Sequence, residues 1–168
     1  VLTPVSLPSP FSIRSMSADN RLAELALELP PAPKPMGVYR PLVYVDDQVW
    51  LSGHGPLLPD GTLLTGRVGD EVTQEDGYRA ARQTGLTMLA TLKSELGSLD
   101  RVGRLIKVLG MVNCVPEFEN HPAVINGFSE LMVEVFGDEG RAARSAVGMG
   151  SLPGGITTEI EAIFELKS

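Results

Sequence analysis

Arg144 and Glu159 are the residues of this chain whose types and setting best fit chemistry. An arginine presents a planar fork of donors that can grip a carboxylate through two parallel hydrogen bonds. A glutamate close by can orient a water molecule or carry a proton. The two together suggest a site for a small molecule bearing a carboxylate. Arg144 could equally pair with Glu159 or Glu161 across strands, and the residue types alone favour that plainer reading. A charge on a strand also blunts aggregation, which would be reason enough for Glu159. His54 follows Ser52 and Gly53, where backbone can approach a ligand, yet it is more often an ordinary loop residue than a base. His54 and His121 lack metal-ligand spacing, and Cys114 reads as an inert buried thiol.

Two strands must carry the pair. From Ile156 to Leu166 apolar and polar residues alternate over eleven positions, a strong strand signal. One face of that strand is apolar, and the other carries Glu159, Glu161 and Glu165. Arg144 opens the preceding strand, 144–149, and Leu152-Pro153-Gly154-Gly155 supplies turn chemistry, so the two read as strands joined by a tight turn. Upstream, residues 41–45 and 48–52 flank Asp46-Asp47 as a hairpin, and Pro59-Asp60-Gly61 precedes a short strand at 62–65. Thr73 caps a long helix whose apolar stripe runs from Tyr78 to Leu96 and stops at Gly97. A buried strand at 105–113 and a second helix at 122–135 follow. The order β-β-β-α-β-α-β-β predicts an α+β domain, a mixed sheet of about six strands with two helices on one face. The other sheet face is then either solvated or packed against a partner.

The run Arg144-Ser145, Leu152-Pro153 and Glu159-Ile160-Glu161-Ala162 resembles the C-terminal signature of the YjgF/RidA family. Its members are reactive-intermediate deaminases, with the older names endoribonuclease L-PSP and perchloric-acid-soluble protein. Gly37-Val38-Tyr39 and Ser52-Gly53 match two further family motifs, and the resemblance spans about residues 37–166. It implies a chorismate-mutase-like fold, a homotrimer, and one ligand cleft at each subunit boundary. It also implies metal-free and cofactor-free hydrolysis of a 2-imino or enamine acid to a 2-oxo acid with release of ammonia. Arg144 would hold the substrate carboxylate and Glu159 would place or activate water. Tyr39, Ser52, Gly53, Asn126 and Ala146 would line the same cleft. Two departures stand out. Deaminating members usually carry cysteine two residues after the arginine, where this chain has Ala146, and glutamine after Ser-Gly, where it has His54. Those changes keep open a non-catalytic module that binds 2-oxo acids. The older names raise an endoribonuclease or translation inhibitor.

Composition narrows the choice. A length of 168 residues suits one domain with a real core, and 43% hydrophobic residues are ordinary for a globular protein. A net charge of −7 offers no field to a phosphate backbone, which argues against nucleic acid as the partner. The single cysteine cannot form an internal disulfide and fits a reducing compartment. No apolar run approaches the roughly 18 residues of a membrane span. Residues 1–15 hold three prolines, four serines, one arginine and no acid, the composition of a disordered tail or a targeting remnant. The chain then divides into a tail (1–16), a helix expected over 18–29 with a proline-rich linker (17–36), and the main domain (37–168). The compartment is cytoplasmic, or mitochondrial or plastid if the tail is a transit-peptide remnant.

Overall fold

The computed structural model describes residues 17–168; the expected tail lies outside them. Strands β1 (Leu42–Val45) and β2 (Gln48–His54) form the hairpin, turning through Asp46 at φ 52°. A short polar side chain tolerates that left-handed backbone. Helix α2 (Gln74–Leu96) starts where the Thr73 hydroxyl accepts the Asp76 N–H and ends at Gly97, φ 81°. Strand β3 (Val102–Asn113), helix α3 (His121–Phe136), β4 (Ala143–Met149) and β5 (Thr158–Leu166) complete the domain. The expected strand at 62–65 makes only isolated bridges, Leu63 with Leu57 and Thr65 with Ile156. The sheet therefore has five strands, ordered β1-β2-β5-β3-β4.

The last two strands are not a hairpin. β4 runs parallel to β3 on one side, while β5 runs antiparallel to β3 on the other. The turn residues instead carry the chain over the end of β3. Asn113 holds that crossing, its backbone N–H donating to the Thr157 carbonyl and its side-chain amide to that of Ile156. Both β2–α2–β3 and β3–α3–β4 are thus helix crossovers between parallel strands, the first spanning the inserted β5.

Alternation along β5 decides the layers. Ile160, Ala162 and Phe164 are buried with Val108 and Val112 of β3 beneath Met88, Leu89 and Leu92 of α2 and Phe128 and Leu131 of α3. Each such side chain contributes about 1.5–3 kcal/mol on burial. The helices touch closely at Gly127, where a β-carbon would overlap the Tyr78 carbonyl, and Arg82 grips Glu134 across them at 2.6 and 3.2 Å. Helix α1 (Ala18–Glu24) is shorter than expected because the chain turns at Ala26, φ 51°. Its Leu22 joins the core, and Arg21 donates to the Glu134 carbonyl at 2.9 Å.

Candidate active site

Glu159 leaves β5 on the face away from the helices, between the helix-facing Thr158 and Ile160. Opposite it, a register shift between Leu51 and His54 of β2 marks a bulge that carries Ser52 and Gly53. The carboxylate lies against this backbone so closely that a β-carbon on Gly53 would overlap Oε1. A side chain there would push the carboxylate aside. Burial pushes the Glu159 carboxyl above its usual 4.5, and the charge of Glu161 pushes the same way.

A cleft of about 590 Å³ opens over this point, lined by Tyr39, Ser52, Gly53, His54 and Glu159 among mostly apolar neighbours. The Tyr39 phenol oxygen accepts the Met36 N–H at 3.3 Å, and the Ser52 hydroxyl donates to the Arg40 carbonyl at 2.6 Å. His54 is buried. Its Nδ1 lies 2.7 Å from the Ser52 carbonyl, so that nitrogen carries the proton, and Nε2 accepts from the Thr91 hydroxyl at 2.8 Å. Burial holds its pKa below the usual 6.5, against the opposing effect of the Ser52 carbonyl. A neutral imidazole therefore braces the bulge from behind.

Arg144 is elsewhere. It pairs with Val108, a strand position buried under the helices, and so leaves β4 on the helix side of the sheet edge. Its Nη1 donates to Asn126 Oδ1 at 2.9 Å and Ser129 Oγ at 3.0 Å, both on α3. Ala146, opposite Gly110, shares that face. Among the described residues Arg144 has no carboxylate partner, so neither expected cross-strand ion pair forms. Within one chain the sheet separates Arg144, Asn126 and Ala146 from Tyr39, Ser52, Gly53 and Glu159. The seven expected site residues form two half-sites on opposite faces.

Sequence reasoning missed Ser129 and residues 33–36. Ser129 stands three positions after Asn126, a helical spacing that puts both on one face. The linker gave no such signal, since only the three-dimensional path shows that it returns to line the cleft.

Residues 19–155 match the family described as "YjgF/chorismate_mutase-like, putative endoribonuclease". The chain belongs to this family. The match takes in all but the first residue of α1, both crossover helices and Arg144, and stops before Glu159. Among YjgF relatives, the chain is similar to Protein TCP17 of Trypanosoma cruzi, 38% identical over 88% of this chain and 92% of the relative. It is 29% identical to a 2-iminobutanoate/2-iminopropanoate deaminase of Dermatophagoides farinae, over 84% of this chain and 95% of the relative. Among solved structures, a "putative endoribonuclease" from Shewanella oneidensis MR-1 superposes with a TM-score of 0.86 at 31% identity, covering 90% of this chain and all of that one. These likenesses bear out the α+β, chorismate-mutase-like YjgF fold. Among the described residues, no helix is long and apolar enough to cross a membrane.

Proposed function

We propose that this YjgF protein hydrolyses 2-imino or enamine acids to 2-oxo acids and ammonia. The reaction needs neither metal nor cofactor and takes place where two copies meet in a homotrimer. One observation carries the reading. Glu159 is a carboxylate of raised pKa held against Gly53 in a largely apolar cleft, and among the described residues no ion pair neutralises it. The likeness to an imine deaminase supports the same reaction class.

The missing cation is Arg144 of a second copy. Fixed by Asn126 and Ser129, its guanidinium keeps further donors for a substrate carboxylate at the sheet edge. The helix-free sheet face, with Trp50, Leu109 and Ile163 around a shallow second depression, offers the apolar surface on which copies would pack. Anchoring the carboxylate places the adjacent imine carbon over Glu159 and makes the attack of water effectively unimolecular. Glu159 takes a proton from water as oxygen bonds to that carbon. That proton passes to nitrogen and gives a carbinolamine. The carboxylate then moves the hydroxyl proton to nitrogen as C=O forms and the C–N bond breaks, so ammonia leaves with a 2-oxo acid behind.

Ammonia and 2-oxo acid release from imines made in situ by an amino-acid oxidase tests this reading. Arg144→Ala and Glu159→Gln should each lower turnover at least roughly a hundredfold while light scattering shows an intact assembly. No turnover by wild type on any imine would refute it. Ala146 and His54, where deaminating members usually have cysteine and glutamine, favour one second reading. In that case the cleft binds 2-oxo acids saturably without turning anything over.

A further inference from the structure

The linker returns to the candidate site. Pro33, Lys34, Pro35 and Met36 line the same cleft as Glu159, together with Leu57, Leu63 and Ile156. Proline fixes the backbone at alternate positions here, so the segment is extended and loses little freedom by being held. The Tyr39 phenol oxygen, accepting the Met36 N–H, closes a local turn at the end of the segment. Among the described residues, Lys34 and Glu159 are the formally charged members of the lining. Met36 is 92% exposed and Leu63 41% exposed, large apolar side chains with little else to cover them. A volume of about 590 Å³ is far more than a methyl or ethyl group fills; a cavity of about 150 Å³ already holds benzene.

We infer that this cleft selects 2-imino acids with a bulky apolar side chain, and that residues 33–36 form the wall against which that side chain packs. The inference rests on the deaminase reading for its reaction and for the second copy's Arg144, and on this chain's cleft wall for its selectivity. Carboxylate and imine occupy the Arg144–Glu159 end, where every substrate of the class is alike. The side chain then lies between Met36 on one wall and Leu63 and Ile156 on the other. Each methylene buried there favours binding roughly fourfold. Methionine adapts to several apolar shapes, so branched and aromatic side chains are both accepted. An acidic side chain would lose its water with only Lys34 to receive it.

The test compares kcat/KM for imines generated from leucine and phenylalanine with those from alanine and glutamate. Calorimetric binding of 4-methyl-2-oxopentanoate, phenylpyruvate, pyruvate and 2-oxoglutarate runs beside it. Wild type should favour the bulky apolar members by roughly tenfold or more in both assays. Met36→Ala and Leu63→Ala should each lower that ratio severalfold. Bulky preference in binding without turnover would sink the deaminase reading and uphold the wall. A flat profile, a preference for pyruvate or 2-oxoglutarate, a ratio insensitive to Met36 and Leu63, or no binding at all would overturn the wall.

Discussion

Gly53 and Glu159 occupy adjoining space so tightly that a β-carbon on the first would overlap the carboxylate of the second. The bulge in β2 makes this approach, and β5 holds the carboxylate above it. Gly53→Ala therefore displaces the tip of a flexible side chain rather than backbone. The expected result is a fall in kcat of roughly tenfold or more with a stability loss under about 1.5 kcal/mol. Steady-state kinetics and thermal unfolding on the same preparation check it.

Gly127→Ala should do the reverse. Its β-carbon would overlap the Tyr78 carbonyl, fixed backbone of α2, so the two helices must move apart. The core beneath them includes Phe128 and Leu131, and overpacking there costs about 1–3 kcal/mol or more. A clear drop in Tm is expected; an unchanged Tm would mean that the helices pack less closely than described.

Glu159 sets the acid limb of activity. Only its ionised form accepts a proton from water, and burial with Glu161 nearby raises its pKa above 4.5. The limb in kcat/KM should lie above that ordinary value and disappear from the residual activity of Glu159→Gln. Stability follows with a definite sign. The folded carboxyl binds its proton more tightly than the unfolded one, so this group's contribution weakens as pH rises from 4.5 through the raised value. Glu159→Gln should then be the more stable protein at pH 7.5.

His54 acts in the opposite direction. Its folded pKa lies below 6.5, so its contribution is whole above that pH and is lost as pH falls through the lowered value. Protonation would also place N–H on Nε2, facing the Thr91 hydroxyl that now donates to it. Wild type should lose more Tm than His54→Gln between pH 7.5 and pH 5.5. Equal losses would show that the imidazole is not held neutral.

Ser129 positions Arg144 without itself being a site residue in the expected set. Ser129→Ala should raise KM severalfold with kcat nearly kept, because the remaining bond to Asn126 still aims the guanidinium. Doubling the change with Asn126→Ala should bring the loss close to that of Arg144→Ala.

Local signals were legible where one element decided them. The Thr73 cap and the Gly97 stop bound α2 as its sequence predicts, and alternation along 156–166 separates Phe164 from Glu159 correctly. Pairing was not legible. Leu152 to Gly155 looks like a hairpin turn, yet Val108 and Val112 make β3 the more deeply buried strand, and it takes the place between β4 and β5. That choice puts Arg144 and Glu159 on opposite faces, a consequence no spacing along the chain reveals. Residues 33–36 are silent for the same reason, since a proline-rich run states its extension but not its destination.

Mixing two inactive variants tests the shared site most directly. Arg144→Ala and Glu159→Gln chains, unfolded together and reassembled, should recover ammonia release at about a quarter of the sites, those pairing an intact Arg144 with an intact Glu159 from different copies. Each variant reassembled alone should stay inactive. Recovery of turnover in the mixture is the predicted result. A mixture as inactive as its parts, with assembly intact by light scattering, would contradict a site built from two copies.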